Sequence, residues 1–287
     1  MSIRFERYRP HPRLAPYVRF YYAVRTAAGA ASTAPIENHP QGGVDLVFGF
    51  SGATAFVGGS GEARRFCGFG LSLLGVQDGP VAVRLGAGLE RFCIAFEPEG
   101  FARLVDLAPA FAMNRSTSVR DDAAPEWREL HERLGGTSDD RARVDRLDAF
   151  LLERLRRSLD RRQSFARLEP LLAEVRRTGG RRSLDDLAAA AGVSPRTVQR
   201  WTRDLLGTGA KTYSRIVRFN AALKLHEERP HLDWYDVLVR TGYYDQSHFI
   251  AEFRRFAGTT PLRFAKGDSR LSRMFTGGEV DALELGE

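Results

Sequence analysis

The C-terminal third of the chain repeats one local pattern: a residue that can cap a helix, a short apolar stripe, a glycine and a second cap. In the first copy Ser183 is the cap, and Asp186 stands three residues later, where it completes a capping box. Gly192 and then Ser194 follow, with Pro195 at the first helical position, where its missing N–H has no helical partner to lose. This spacing predicts two short helices joined by a glycine-containing turn, which is a helix-turn-helix unit.

The same pattern recurs about fifty residues later. Asp233 can cap a helix, Gly242 can turn the chain, and Asp245 can cap the next helix. Both second helices run into a glycine at matching places, Gly207 and Gly258. An internal repeat is stronger evidence for an architecture than either copy alone. The sequence therefore predicts two helix-turn-helix units in tandem.

The outward residues of each second helix decide what the unit can read, because that helix enters the major groove of DNA. Arginine can make a bidentate pair with guanine and glutamine with adenine. An arginine-rich helix face is on its own usually just solvated surface, so its position in the unit is what favours DNA reading. The outward positions are Arg196, Gln199, Arg200 and Arg203 in the first unit, and Gln246, Ser247, Ala251 and Arg254 in the second.

A predicted helix over 211–228 connects the two units, and Arg215, Arg218 and Lys224 on it are either phosphate contacts or solvated surface. Eighteen helical residues span about 27 Å, a suitable strut for two helices one DNA turn, roughly 34 Å, apart. Residues 181–266 hold 15 basic and 9 acidic side chains, so this region carries +6 of the chain's net +7. A high-GC genome would also favour arginine codons, but it would not place the excess charge here, where phosphates would be met.

Two stretches resemble the AraC/XylS family of transcription regulators. SLDDLAAAAGVSPRTVQR is similar to the first unit of the family and GYYDQSHFIAEFRRFAGTTPLRF to the second, over about residues 165–266. The resemblance implies a sequence-specific regulator that binds double-stranded DNA, with both second helices touching bases. It places Arg196, Gln199, Arg200, Gln246, Ser247 and Ala251 at bases. Our candidates for phosphate contacts are Thr197, Arg203, Arg215, Arg218, His248 and Arg254.

Two positions depart from the family pattern. Thr202 stands where the first recognition helix normally has an apolar aromatic residue, with Trp201 beside it as a replacement. Leu238 replaces the small residue, usually alanine, that lets the helices of the second unit approach closely. We therefore expect the second unit to pack differently from the first.

The first hundred residues alternate as strands do. Val18, Phe20, Tyr22 and Val24 recur at every second position, and glycine-rich turns separate this stretch from similar ones. The fold class we expect is α+β and multidomain: a small β-barrel or sandwich with flanking helices, then an all-α tandem helix-turn-helix domain. PQGGVDLVFGF and GVQDGPVAVRLGAGLERFCIAFEPEGFARLV resemble sensor-like domains that precede this module in part of the family. Phe20, Tyr22, Phe48, Phe50, Phe92 and Phe96 are candidates for an effector pocket, with plain core packing as the alternative.

The sequence shows no arrangement that would support catalysis. His11, His39 and His131 are dispersed, without the His-x-His spacing of a metal-binding cupin, and neither a Gly-x-Ser-x-Gly elbow nor a phosphate-binding loop is present. We therefore expect no enzyme activity, no metal and no cofactor. Cys67 and Cys93 are too few for a disulfide framework and lie in strand-like stretches, which favours core packing over a redox pair.

An apolar stripe at helical spacing runs through the middle of the chain, at Val144, Leu147, Leu151, Leu155 and Leu159. The stripe could pair with a second copy in a homodimer, or it could pack on its own β domain; the spacing allows both. The organisation we expect is a β-rich sensor-like domain at 1–135, a helical connector at 138–164, a DNA-binding domain at 165–266 and a poorly ordered tail at 267–287.

The expected partner is promoter DNA, with RNA polymerase and an unknown small effector as further candidates. No stretch approaches a membrane span, and the N-terminal residues lack the apolar core of a signal peptide, so we expect a cytoplasmic protein without membrane contact. The N-terminal domain could bind an effector, or it could serve only in dimerisation or polymerase contact. An open apolar pocket with convergent polar groups would favour the effector, and a filled barrel the second hypothesis.

Overall fold

The N-terminal part is built from two antiparallel sheets. The computed structural model describes residues 3–29, 36–57, 63–67, 69–105, 113–114, 116–118, 125–158, 168–266 and 282–285. The strands are β1 (Ile3–Tyr8), β2 (Val18–Thr26), β3 (Ile36–Asn38), β4 (Val44–Ser51), β5 (Ala53–Val57), β6 (Ala63–Cys67), β7 (Gly70–Leu74), β8 (Val81–Leu85), β9 (Glu90–Phe96), β10 (Ser116–Ser118) and β11 (Ala282–Leu285). The larger sheet has the order β10-β7-β4-β9-β2-β1-β11, and the smaller one β3-β8-β5-β6.

The described helices follow and separate these strands. A 3₁₀ turn (Pro12–Leu14) precedes β2, and the helices are α1 (Pro98–Val105), α2 (Pro125–Gly135), α3 (Asp140–Arg157), α4 (Leu168–Arg177), α5 (Leu184–Ala190), α6 (Pro195–Leu206), α7 (Ala210–Glu228), α8 (Trp234–Thr241), α9 (Gln246–Ala257) and α10 (Pro261–Lys266). A β sandwich with flanking helices, followed by an all-α region, confirms the expected fold class. Among the residues described, no helix combines the length and the apolar character that a membrane span needs.

The two faces of the larger sheet have different neighbours. Tyr21 and Phe92 belong to the main core, where the helices pack, whereas Tyr22 and Cys93 belong to a second cluster on the other face. Successive side chains of a strand point to opposite faces, which explains the split. A cavity separates the second face from the smaller sheet, so this side of the sandwich is not filled.

The apolar stripe of α3 packs within its own chain. Leu147 and Leu151 are fully buried and Leu155 nearly so, all three in the main core. Arg143, on the same helix, is also buried and donates to Glu90 at 2.8 Å and to Asp140 at 3.2 Å. Of the two alternatives for this stripe, packing on the β domain is therefore the one observed. Leu159 lies outside the described residues.

The last strand differs from the expectation for the C-terminal tail. We expected poor order over 267–287, but β11 pairs antiparallel with β1, with Phe5 opposite Leu283. The unpaired edge of β1 offers backbone donors and acceptors, which a further strand can satisfy. The remainder of that tail lies outside the described residues.

The helix caps in the C-terminal region are those that the sequence predicts. Ser183 and Asp186 form the capping box in front of α5. Ser194 caps α6 with Pro195 at its start, and Asp245 caps α9. Both recognition helices end at a left-handed glycine, with φ of 72° at Gly207 and 70° at Gly258. The tandem helix-turn-helix architecture is therefore set by local chemistry.

Both departures from the family pattern are accommodated in the core. Thr202 is fully buried, and its hydroxyl donates to the carbonyl of Val198 at 3.0 Å, so no polar group is left unpaired. Leu238 is also buried, where the equivalent position of the first unit holds Ala188. The second unit thus has a larger buried side chain at the position where the first unit has alanine.

The β domain contacts the helical region directly. Helix α1 meets α4 and α6, and the segment after β3 reaches α7, where Asn220 Nδ2 donates to the carbonyl of Pro40 at 3.0 Å. His39 is buried between the rings of Phe219 and Phe264, at centroid distances of 6.3 and 5.3 Å. The end of β3 is therefore a junction between the sandwich and the helices.

Candidate nucleic-acid interface

The first recognition helix, α6, presents one exposed cationic face. Arg196, Arg200 and Arg203 are spaced by four and three residues, which places them on the same side of a helix, and all three are exposed. Val198 and Leu205 are fully buried on the opposite side. Within the described part of the chain these arginines make no ion pair, so their donors are available to a ligand.

Two neighbouring candidates on α6 are less free. Gln199 is half-buried, and its side-chain oxygen lies where a Cβ at Gly209 would collide with it. The side chain therefore lies against the loop after the helix. Thr197 is half-buried too: its hydroxyl lies 2.9 Å from Ser194 Oγ, and its backbone N–H donates to the same oxygen at 3.2 Å. Thr197 thus belongs to the cap of α6.

The second recognition helix, α9, repeats this geometry 51 residues later. Ser247, Ala251 and Arg254 are exposed at the spacing of the three arginines of α6, and Gln246 is exposed at the first turn. Both helices have 12 residues. Phe249, Phe253 and Phe256 are buried on the inner side of α9. The outer faces of α6 and α9 are therefore equivalent in place but different in chemistry, because only α6 carries three arginines.

Arg215 and His248, both predicted at phosphates, bind an acid inside the domain. Glu252 of α9 is 2% exposed. Arg215 Nε of α7 donates to its carboxylate, and His248 Nε2 lies 3.3 Å from the same oxygen. The network ties the second recognition helix to α7 and engages the Arg215 guanidinium. Sequence reasoning missed Glu252, because a single acidic residue on a helix is usually exposed to solvent.

Arg218 connects α7 to the entrance of the first unit. Its Nη2 donates to the carbonyl of Gly180 at 2.6 Å, and its guanidinium lies over the Tyr243 ring at 5.6 Å. Gly180 has φ of 69°, and a Cβ there would collide with the backbone of Ser214. Only glycine suits this approach. Arg218 therefore holds the two units on α7.

A basic cleft of about 640 Å³ lies between α5, α7 and α9. Its walls include Arg181, Arg182 and Lys211, which sequence reasoning also missed, although two adjacent arginines directly before the Ser183 cap were a visible signal. Lys211 is exposed and makes no ion pair within the described ranges. The cleft runs from the cap of the first unit, Ser183, to His248 at the start of the second recognition helix.

The six aromatic candidates for an effector pocket are dispersed. Tyr22 lines the cavity between the sheets, and Phe20 packs in the cluster beside it. Phe50 stacks on His131 at a centroid distance of 5.3 Å. The other three, Phe48, Phe92 and Phe96, are fully buried on the helical face of the sheet. The two candidates on each strand share a face, and the register of β2 against β9, with Tyr22 opposite Cys93, puts the pair on β2 on the other face of the sheet from Phe92.

Cys93 also lines this cavity. It is 2% exposed, and burial raises the pKa of its thiol to about 12. A thiol with such a pKa is protonated and unreactive near neutral pH. Cys93 is therefore a small core residue, as expected, while the side chain of Cys67 lies outside the described part of the structure.

Comparison with known proteins follows the same division of the chain. A family model described as a helix-turn-helix domain matches residues 187–267, and one described as "Domain of unknown function (DUF6597)" matches residues 6–118. No curated protein matches. Among solved structures, ToxT from Vibrio cholerae O395 is 9% identical, with 92% of this chain and 97% of that chain covered and a TM-score of 0.45.

Two further structures belong to the same comparison. Unsaturated fatty acid bound wild-type ToxT from Vibrio cholerae strain SCE256 is 8% identical, covering 92% of this chain and 94% of that one, with a TM-score of 0.44. The AraC-like transcriptional activator CuxR is 14% identical over 77% of this chain and 86% of its own, with a TM-score of 0.28. The matched helix-turn-helix model coincides with the two stretches that resemble the AraC/XylS family, and it supports a DNA-binding transcription regulator whose C-terminal region is of the AraC type.

Proposed function

We propose that this regulator reads DNA with α6 and α9 in successive major grooves on one face of the duplex. The observation that carries this proposal is the repetition of the exposed face, Arg196, Arg200 and Arg203, at equivalent positions of α9. Helix α7 has 19 residues, about 28 Å of rigid spacer. That length suits two reading helices roughly one turn of DNA, 34 Å, apart.

The two helices have unequal roles in this proposal. Arg196 and Arg200 can each make bidentate pairs with guanine, so α6 supplies most of the discrimination between bases. On α9, Gln246 and Ser247 supply hydrogen bonds, and the Ala251 methyl suits contact with a thymine methyl group. Base reading by Gln199 needs its side chain to leave the loop at Gly209.

Phosphate contacts fall to the basic residues around these faces. Arg203 and Arg254 stand in the last turns of the two helices, and Lys211, Arg181 and Arg182 line the cleft between α5, α7 and α9. Cations at these places neutralise the phosphates between two successive grooves and make binding salt-dependent. The other four candidates for phosphate contacts affect DNA binding indirectly, because each holds a helix in position. They are Thr197, Arg215, Arg218 and His248.

Selection of bound sequences from randomised DNA tests base reading by α6. Arg200→Ala should weaken binding to the selected site by about 1–3 kcal/mol and relax the preference at one base position, as the loss of a bidentate contact does. Arg128→Ala, an exposed arginine on α2, is the matched control and should leave binding unchanged. Equal affinity and equal preference for Arg200→Ala and the control would remove Arg200 from the reading role.

We also propose that the N-terminal domain controls DNA binding through a small effector. The cavity between the sheets favours an effector over a domain that serves only in dimerisation or polymerase contact, since its walls carry polar groups as well as apolar ones. It is lined in part by Asn38 at the end of β3, next to His39 and Pro40, which contact the helices. Occupation of the cavity can therefore act on α7, the spacer between the reading helices.

A further inference from the structure

The cavity between the two sheets is small and mostly apolar. Its volume is about 100 Å³. Apolar side chains from both sheets form most of its wall, among them Phe5, Val24, Val47, Val83 and Leu85. An apolar cavity of about 150 Å³ is large enough for benzene. The cavity has about two thirds of that volume, so it fits a short apolar body of about four non-hydrogen atoms.

Three polar side chains on this wall have buried atoms without a partner. They are Arg91 Nε, Thr54 Oγ1 and Asn38 Oδ1. Arg91 is 7% and Thr54 2% exposed. Within the ranges that the structure describes, Arg91 has no carboxylate partner. Buried polar groups are rarely left unpaired in a native protein, so three such atoms around one cavity indicate a ligand.

The acid in the same cavity is already engaged. Asp45 accepts a hydrogen bond from Tyr22 Oη at 2.9 Å, and its other oxygen lies 3.5 Å from Arg19 Nη2. Arg91 lies beside Tyr22 and Cys93, and burial raises the pKa of both of these groups, which keeps them neutral. Burial lowers the pKa of Arg91, but an arginine stays protonated near neutral pH. Among the described residues, the cavity therefore holds a cation that has no carboxylate partner.

We propose that the cavity binds a small carboxylate with a short apolar body, its carboxylate paired with Arg91. A buried charge without a partner is strongly unfavourable, and the planar guanidinium matches the geometry of a carboxylate. Asn38 Oδ1 then accepts from a hydroxyl on the ligand, and the Thr54 hydroxyl donates to the oxygen of the same group, so a short hydroxy acid satisfies all three side chains. This inference rests on the proposed effector control and names the class of effector.

Binding has a direct route to the DNA-binding domain. Asn38 is the last residue of β3, and the next residue, His39, is buried against Phe219 of α7 and Phe264 of α10. Pro40 accepts a hydrogen bond from Asn220 of α7. A ligand that draws Asn38 inward moves this junction, so carboxylate binding changes affinity for DNA.

Isothermal titration of the full chain with butyrate, 3-hydroxybutyrate and butyramide tests the class of ligand. We expect 3-hydroxybutyrate and butyrate to bind, and butyramide, which has the same shape without the charge, to bind at least about tenfold more weakly. Arg91→Met should abolish the difference between butyrate and butyramide, whereas Arg84→Met, an exposed arginine on β8, should preserve it. If butyramide binds wild-type protein as tightly as butyrate, or no carboxylate binds, the proposal is wrong. This comparison uses wild-type protein and stands even if Arg91→Met does not fold.

A mobility-shift assay on the selected DNA site separates this inference from the proposed function. We expect 3-hydroxybutyrate to change the affinity of wild-type protein for DNA, and to have no effect on Arg91→Met, which still binds DNA. Specific DNA binding without any carboxylate binding overturns the inference and leaves the DNA-reading proposal intact. Carboxylate binding without specific DNA binding supports the inference and contradicts the DNA-reading proposal.

Discussion

Arg215 shows how a basic residue of a DNA-binding domain can serve the fold. Its guanidinium reaches a carboxylate that is 2% exposed, on a helix 37 residues away in sequence. Removing one partner of a buried pair leaves the other charge without compensation, which is far more costly than losing a surface contact. We therefore expect Arg215 to contribute to stability and to affect DNA binding only indirectly.

Arg215→Ala should lower the free energy of unfolding by about 3 kcal/mol, because the buried carboxylate of Glu252 loses its arginine partner. Urea denaturation measures this change. Lys211→Ala, an exposed residue of the same cleft, should leave stability within about 0.5 kcal/mol and instead reduce the salt dependence of DNA binding. The reverse assignment, with stability unchanged and a salt slope lower by about one for Arg215→Ala, would make Arg215 a phosphate contact.

Sequence reasoning predicts what is local, as the residues of α6 and α9 illustrate. The caps Ser194 and Asp245 and the closing glycines depend on neighbours within four residues, so they follow from the printed sequence. The partner of Arg215 could not be predicted, because it lies on another helix. Gln199 was placed with the arginines by spacing alone, but the side chain lies against Gly209, a contact made only once the loop has folded.

At the scale of elements, strand alternation predicts which residues share a face but does not tell which face covers a cavity. Tyr22 faces the cavity while Tyr21, its neighbour, packs under the helices. The aromatic candidates on β4 and β9 lie on the face of the sheet that the helices cover. The sequence does not single out Arg91, because an arginine in a strand normally indicates a position exposed to solvent. Its role depends on the smaller sheet, whose position relative to β9 is a tertiary property.

Helix α3 gives a prediction at the scale of elements. Leu151 is fully buried in the main core, so Leu151→Ala should cost about 2–5 kcal/mol of stability through lost burial and the cavity left behind. Light scattering should find the same mass for the variant and the wild type, since this residue packs within its own chain. Arg156→Ala, an exposed residue of α3, is the control. A change in oligomeric state with little loss of stability would instead make the α3 stripe a dimer interface.

At the scale of the whole molecule, His39 makes the junction of sandwich and helices sensitive to pH. Burial lowers the pKa of His39 from 6.5 to about 4. Because the folded pKa lies below the unfolded one, the stabilisation is complete above pH 6.5 and is lost as the pH falls towards 4. Between pH 8 and pH 5 this histidine alone should remove about 2 kcal/mol of stability.

Urea denaturation of two variants at both pH values tests the contribution of His39. His39→Leu should show a loss between pH 8 and pH 5 that is about 2 kcal/mol smaller than the loss in the wild type. His231→Leu, an exposed histidine before α8, should behave as the wild type does. An equal loss in the wild type and His39→Leu would mean that His39 is not buried as a neutral ring at this junction.

For the whole molecule, our proposal is that α7 holds the two reading helices so that one chain occupies two successive major grooves. Methylation interference on the selected DNA site measures this arrangement directly. We expect two clusters of guanines whose methylation at N7 weakens binding, about 10 base pairs apart and on one face of the duplex. A single cluster, or two clusters on opposite faces about half a turn apart, would contradict it.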